Sequence, residues 1–164
     1  MQHIFLGLGS NLGDRKKHIK QAINEIGIQI GKVTQESHLY KTAAWGKTDQ
    51  SYFLNQVIKV ETKKAPIAVL DGILSVEQKL GRVREEKWGE RIIDIDLLFY
   101  GSNIVEVPRL LVPHPFIAER RFVLVPMHEL APDLIHPLLQ RSIADLLEGC
   151  PDTLPVEKLT ENID

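Results

Sequence analysis

Asp94 and Asp96 stand two residues apart inside Ile92–Tyr100, the run with the strongest strand pattern in the chain. Strand periodicity puts both carboxylates on one face, about 7 Å apart, and Ile93, Ile95, Leu97 and Phe99 on the other. Acids so placed repel each other unless a cation lies between them, and Mg²⁺, which prefers hard oxygen donors, suits the pair. A bare Asp-x-Asp is more often the solvated face of an edge strand. The preceding segment shifts that balance, because Gly81–Arg91 brings Arg82, Arg84, Lys87 and Arg91 directly ahead of the acids, with Trp88 among them. Arginine forks match phosphate oxygens in pairs, and carboxylates hold the ions that bridge those phosphates, which is what phosphoryl transfer requires. Glu85, Glu86 and Glu90 fit a self-neutralised surface loop equally well. The mixed charges of Arg84–Gly89 predict low local stability and a lid over bound nucleotide.

Other candidates surround this pair. Glu77 falls on the apolar stripe of a helix, where a carboxylate needs a partner: either it holds Arg82 or Arg84 from behind, or it reaches water at the stripe's edge. Phe53 and Asn55 share one strand face, offering a ring to stack on and an amide that donates and accepts, as a flat polar heterocycle requires; a core aromatic beside an inward amide fits as well. His114 sits between Pro113 and Pro115 in a stiffened loop, and Arg120-Arg121-Phe122 adds two cations and a ring. Gly7-x-Gly9-x-x-x-Gly13 misses the dinucleotide fingerprint by one residue, and Gly46-Lys47-Thr48 lacks the upstream glycine of a phosphate loop, since Lys41 stands there.

Composition bounds the context for this chemistry. The 164 residues are 43% hydrophobic, enough for one compact domain. Twenty Lys and Arg against 22 Asp and Glu leave a formal charge of −2, so no global basic field draws the chain onto nucleic acid or acidic lipid. The single cysteine, Cys150, excludes an internal disulfide and favours the cytoplasm. The apolar run near Met1 is too short for a signal peptide, and no stretch reaches membrane-spanning length.

The positioning elements follow from pattern. Ile4–Leu8 reads as a strand, and Asp14 caps a helix with Ile19, Ala22, Ile23 and Ile26 on one face, ended by Gly27 and Gly31. Lys32–Thr42 and Tyr52–Thr62 read as strands joined by the loop Ala43–Ser51. Pro66 opens a second helix with Ile67, Leu70, Ile73, Leu74 and Leu80 as its buried stripe. With Ile92–Tyr100 the order is β-α-β-β-α-β, which predicts an α+β, ferredoxin-like antiparallel sheet with helices packed on one face. Ile104–Leu130 is punctuated by proline, Ser142–Leu147 suits a short helix, and the C-terminal extension Pro151–Asp164 has too few apolar residues to be held tightly. The expected catalytic domain spans residues 1–150.

Taken together, Gly9-Ser10-Asn11-Leu12, Thr42-Ala43-Ala44-Trp45-Gly46, Phe53-Leu54-Asn55, Gly81-Arg82-Val83-Arg84, Trp88-Gly89-x-Arg91-x-x-Asp94-Ile95-Asp96-Leu97 and Val112-Pro113-His114 closely resemble the 6-hydroxymethyl-7,8-dihydropterin pyrophosphokinases of folate biosynthesis. The resemblance covers residues 4 to about 135 and is most specific between Arg82 and Asp96. It implies transfer of the β,γ-pyrophosphoryl group of ATP, the co-substrate, to the pterin hydroxymethyl oxygen, with AMP leaving. Asp94 and Asp96 would bind two Mg²⁺ ions and, with Arg82 and Arg91, form the catalytic set. Glu77, Arg82, Arg84, Lys87, Trp88, Arg91, Leu97, His114 and Arg120 would address ATP. Phe53 and Phe122 would sandwich the pterin, with Thr42, Ala44, Trp45, Asn55 and Asp94 beside it. The chain departs from the commonest pattern at Ala43-Ala44, Phe53, Lys87 and Leu111, and none of these removes a metal ligand. A monomer acting on small molecules, with neither nucleic acid nor membrane as partner, is expected. Two other classes remain in view: a ferredoxin-like RNA-binding module, which needs a basic face and exposed strand aromatics, and a metal-dependent nucleotidyltransferase built on Gly9-Ser10, whose acids would have to follow far sooner.

Overall fold

The computed structural model describes residues 1–42, 52–81 and 92–160. Its elements begin β1 (Gln2–Ser10), α1 (Arg15–Gln29), β2 (Lys32–Glu36), β3 (Tyr40–Thr42), β4 (Phe53–Thr62), α2 (Pro66–Lys79) and β5 (Asp94–Tyr100). A hairpin follows, β6 (Val105–Val107) and β7 (Leu110–Val112), then a 3-10 turn at Ile117–Glu119, α3 (Arg121–Leu130), α4 (Ile143–Glu148) and β8 (Val156–Lys158). The main sheet runs β5-β1-β4-β3-β8, with β2 also on β4, and every pairing in it is antiparallel.

Local chemistry starts and stops the helices. Asp14 caps α1 by accepting from the Lys17 amide at 3.2 Å, and Pro66 opens α2 where its missing N–H costs nothing. The expected stop at Gly27 does not occur, because that glycine lies in the last turns of α1, which continues to Gln29. Gly31 does mark the exit: a Cβ there would overlap the Glu61 carbonyl oxygen, so the chain turns against β4 only with glycine. In α2 the buried residues are Val69, Ile73, Val76 and Glu77, while Leu74 is exposed. Of the expected stripe, Ile73 is fully buried and Ile67, Leu70 and Leu80 pack at the edge of the core, while Val69 and Val76 complete the buried face.

Helices cover both faces, which corrects the expectation of one. Ile4, Leu6 and Leu8 of β1, with Leu54, Ile58, Ile95 and Leu97, meet Ile19, Ile26, Val69 and Ile73 of α1 and α2. Phe5, Val57, Leu98 and Phe99 on the opposite face meet Val123, Leu124 and Met127 of α3 and Ile143 and Leu146 of α4. The proline-punctuated region hid α3, which carries Pro126 inside it. A register shift also moves Phe99: β1 pairs Phe5 with Phe99 but Leu6 with Leu97, so Leu98 is the extra residue. That bulge turns Phe99 away from Ile95 and Leu97, and it meets Phe5 edge-on at 6.3 Å.

The expected strand Lys32–Thr42 is interrupted between β2 and β3. Ser37 exchanges bonds with Val57 there, its amide donating to the Val57 carbonyl at 2.9 Å and its Oγ accepting from the Val57 amide at 3.0 Å. Past this bend, α3 reaches across. Glu129 accepts from the His38 amide at 3.1 Å, from the Tyr40 hydroxyl at 2.6 Å, and pairs with His38 Nδ1 at 2.7 Å. The segment after Pro151, expected to be loosely held, adds β8 to the edge of β3.

Burial pushes the Glu129 carboxyl up, but hydrogen bonds from Tyr40 and His38 outweigh it and hold the group below its ordinary 4.5. Burial, with the bond to Glu129, pushes the Tyr40 phenol well above its ordinary 10.0. The Glu129 contribution is therefore present above pH 4.5 and lost as pH falls through the lowered folded value; that of Tyr40 fades as pH rises past 10.0. Tyr40→Phe, which keeps the ring, should cost about 1.5–3 kcal/mol in urea unfolding at pH 7, the scale of a hydrogen bond to a charged group. The difference should shrink as the pH falls below 4.5; an equal loss at pH 7 and in acid would contradict the brace.

Candidate active site

β1 contributes a floor with no side chains. Register places Gly7 opposite Asp96 and Gly9 opposite Asp94 on β5, and on the other side Gly7 opposite Val57 and Gly9 opposite Asn55 on β4. Odd positions of β1 face α3, so the two glycines open a hollow between the aspartates and β4. The result is a cavity of ≈ 280 Å³ bounded by Gly7, Gly9, Thr42, Phe53, Asn55, Asp94, Asp96, His114, Arg120 and Phe122, with Phe116 and Val123. The Gly-x-Gly of the sequence therefore works as a strand floor rather than as a phosphate loop.

The walls are specific. Asn55 is buried, and its Nδ2 donates to Thr42 Oγ1 at 2.6 Å, which turns Oδ1 toward Gly9. A Cβ at Gly9 would stand 3.0 Å from that Oδ1 and 3.5 Å from Phe53 Cδ1. Phe53, from the start of β4, and Phe122, from the first turn of α3, border the same space. The Arg120 guanidinium lies 5.0 Å from the Phe116 ring and 5.7 Å from the Phe122 ring.

A second cavity, ≈ 390 Å³, opens between α2, β5 and the β6–β7 hairpin, bounded by Leu70, Leu74, Glu77, Leu97, Arg109 and Leu111 among others. Asp94, Asp96 and His114 border both cavities. The two aspartates are a ridge between two hollows. Glu77 stands behind the ridge, 3% exposed, with Oε2 accepting from the Ile95 amide at 2.8 Å. It thus pins the backbone of an edge strand between the two acids, a role the sequence did not disclose, since a main-chain partner leaves no spacing signature.

His114 is fixed by main chain. Its amide donates to the Leu98 carbonyl at 3.1 Å, and Nδ1 accepts from the Phe116 amide at 3.2 Å. Nδ1 therefore carries a lone pair, and the proton of the neutral ring sits on Nε2. Burial first, and then the charge of Arg120, push its pKa down to about 4 despite the opposing pull of Asp94. At neutral pH it is an uncharged hydrogen-bond donor.

Thr42, Phe53, Asn55, Asp94, Asp96, His114, Arg120 and Phe122 thus gather around the first cavity, and Glu77, Asp94, Asp96, Leu97 and His114 around the second. Arg120, expected at a nucleotide, borders the first cavity rather than the second. Ala44, Trp45, Arg82, Arg84, Lys87, Trp88 and Arg91 lie outside the described residues, as does the expected lid Arg84–Gly89. Sequence reasoning missed Arg109, which pairs with Asp71 of α2 at 2.6 Å and so ties the hairpin to the helix; nothing in its spacing marks it. It also missed Gly7 and Gly9 as a floor, though glycines alternating along one strand face are a readable signal.

Among the described residues no three His, Cys, Asp or Glu side chains gather as a metal cage. The two carboxylates fit an ion that takes one or two protein ligands and completes its shell with water and phosphate oxygens, as Mg²⁺ does, and not a zinc-type site. Among the same residues, no helix is long and apolar enough to cross a membrane.

Comparison with known proteins identifies the family. Residues 5–132 match the family described as 7,8-dihydro-6-hydroxymethylpterin-pyrophosphokinase. The chain is 46% identical to the 2-amino-4-hydroxy-6-hydroxymethyldihydropteridine pyrophosphokinase of Methylorubrum extorquens, covering 82% of this chain and 86% of that one. It is 40% identical to the enzyme of the same name from Aquifex aeolicus, covering 88% and 90%. A crystal structure of Plasmodium falciparum HPPK-DHPS superposes with a TM-score of 0.72 at 17% identity, over 90% of this chain but 43% of that longer one, a likeness of fold. Neither the RNA-binding nor the nucleotidyltransferase reading finds support in these matches. The chain belongs to the 7,8-dihydro-6-hydroxymethylpterin-pyrophosphokinase family.

Proposed function

We propose that this protein transfers the β,γ-pyrophosphoryl group of ATP to the hydroxymethyl oxygen of 6-hydroxymethyl-7,8-dihydropterin, releasing AMP in folate biosynthesis. The observation that carries the reading is the ridge of Asp94 and Asp96 shared by two cavities. Two substrates, one on each side, meet at the same two carboxylates.

In this reading the pterin occupies the glycine-floored cavity, stacked between Phe53 and Phe122. Asn55, its Nδ2 committed to Thr42, presents Oδ1 to ring N–H groups. The nucleotide occupies the cavity beside α2, against Leu97 and behind Glu77. Asp94 and Asp96 would hold two Mg²⁺ ions, which would supply positive charge to offset the triphosphate and the charge developing on AMP. His114 donates Nε2–H to a phosphate oxygen, and Arg120 stands at the pterin end of the ridge. Arg82, Arg84, Lys87, Trp88 and Arg91, with Ala44 and Trp45, join them by resemblance. The pterin hydroxyl oxygen attacks the β-phosphorus, the bond to the α,β-bridging oxygen breaks with its electron pair leaving on AMP, and the hydroxyl proton passes to water. The βαββαβ order, with β2 and β3 as one interrupted strand, supports a ferredoxin-like fold. The catalytic residues lie within residues 1–150, in a protein acting as a cytoplasmic monomer.

The test is AMP release from Mg-ATP with and without the pterin alcohol. The unmutated protein should form AMP only when both are present and should stop in excess EDTA. Asp94→Asn, Asp96→Asn and the double variant should each lose most of the activity, with the double scarcely worse than either single, because the pair acts as a unit. A folded double variant working at the unmutated rate would return these acids to a solvated strand.

The floor gives a separate prediction. Gly9→Ala drives a methyl toward Asn55 Oδ1 and Phe53. The Asn55 amide must shift by a few tenths of an ångström, and the KM for pterin should rise about tenfold, the equivalent of about 1.4 kcal/mol, with the KM for ATP little changed. An unchanged pterin KM would place that substrate elsewhere.

A further inference from the structure

The family match ends at residue 132, yet the chain beyond Cys150 touches both walls of the glycine-floored cavity. One wall is α3, which brings Phe122 and Val123 to the cavity; the other is β3 with β4, which brings Thr42, Phe53 and Asn55. α3 starts without help from the residue before it, since the Arg120 side chain makes no cap bond. Asp152 supplies the cap from thirty-one residues away, its Oδ2 accepting from the Arg121 amide at 3.0 Å. Its Oδ1 accepts from the Leu154 amide at 3.0 Å, which bends the chain back toward the sheet. Val156 follows, opposite Thr42 on β3, with Glu157 opposite Lys41 and Lys158 opposite Tyr40. The ladder closes where the Leu159 amide donates to the Leu39 carbonyl at 2.9 Å. α3 also packs directly on β3 and β8.

We propose that Asp152–Leu159 is a strap that positions the pterin site, with Asp152 its principal positioning residue. This rests on the reading of the glycine-floored cavity as the place of the pterin. Asp152 holds the first turn of α3, and with it Phe122, while β8 holds β3, and with it the Thr42 hydroxyl that orients Asn55. Between those two attachments only a few residues intervene, so the strap sets the separation of the walls. β3 is three residues long, and without β8 it would be an exposed edge with ladder bonds on one side only, the kind of element that opens first. A carboxylate at the start of α3 also complements the helix dipole. A ring stacked between Phe53 and Phe122 senses that spacing directly, whereas the nucleotide cavity beside α2 does not touch the strap.

Steady-state kinetics of Asp152→Ala, Asp152→Asn and Leu159→Pro test this in the full-length protein, well below its unfolding temperature. Asp152→Ala and Leu159→Pro should raise the KM for pterin roughly three- to tenfold, the scale of one lost cap, and leave the KM for ATP within about twofold. Asp152→Asn, which keeps an acceptor for the Arg121 amide, should restore the pterin KM. Folded variants with an unchanged pterin KM would reduce the strap to a stability staple, and a parallel rise in both KM values would mean general loosening; either overturns the proposal. If the unmutated protein releases no AMP, it is the functional reading that falls. The strap is then judged by hydrogen exchange without ligand: Lys41–Thr42 and residues 121–124 must exchange faster in Asp152→Ala, and equal rates would refute it.

Discussion

The register between β1 and β5 is the constraint on which the rest depends. It sets Gly9 against Asp94 and Gly7 against Asp96, so that each carboxylate looks across bare backbone instead of a side chain. Two forces hold that register. Ile93, Ile95 and Leu97 are buried against α1 and α2, and a slip of one residue would exchange them with the acids. At the far end, the extra residue Leu98 turns Phe99 onto the opposite face, where it closes on Phe5. The strand is thus anchored in one core on one side and in a second core beyond the bulge. The acids occupy the stretch of the second face that neither α3 nor α4 covers.

A sheet buried on both faces normally has no room for a ligand. Room exists here because glycine replaces a side chain at two successive positions of one face, and because α3 starts only after the loop that carries His114 and Arg120. The open end of the second core is therefore a cavity with one apolar wall and one acidic ridge. Its walls belong to elements far apart in the chain, and their spacing is set by cross-links: Glu129 to His38 and Tyr40, and Asp152 to Arg121. Glu77 does the same for the ridge, taking the Ile95 amide that an edge strand would otherwise turn outward. Each is a carboxylate accepting from a backbone amide near an element's end, and at Ile95, where the bond is buried, leaving that amide unpaired would be costly.

The sequence disclosed the parts that depend on local periodicity or residue type. The alternation through Ile93–Leu97 predicted the shared face of Asp94 and Asp96, and Asp14 and Pro66 predicted two helix starts. Phe53 with Asn55, and His114 between prolines, were legible as a ring with an amide and as a fixed imidazole. What stayed hidden was non-local. The displacement of Phe99 needs the partner strand, because a bulge is a property of the pair. Helix α3 was masked by Pro126, whose cost is offset by the burial of Val123, Leu124 and Met127. β8 carries so few apolar residues that only its backbone pairing with β3 reveals it.

The central claim is that one carboxylate ridge divides two substrate cavities, and a crystal structure of the protein with Mg²⁺, a non-hydrolysable ATP analogue and the pterin alcohol tests it most directly. The account predicts the pterin ring between Phe53 and Phe122, the triphosphate on the α2 side near Leu97 and Glu77, and metal density touching both Asp94 and Asp96. Both ligands in one cavity, or metal bound away from the two aspartates, would contradict it.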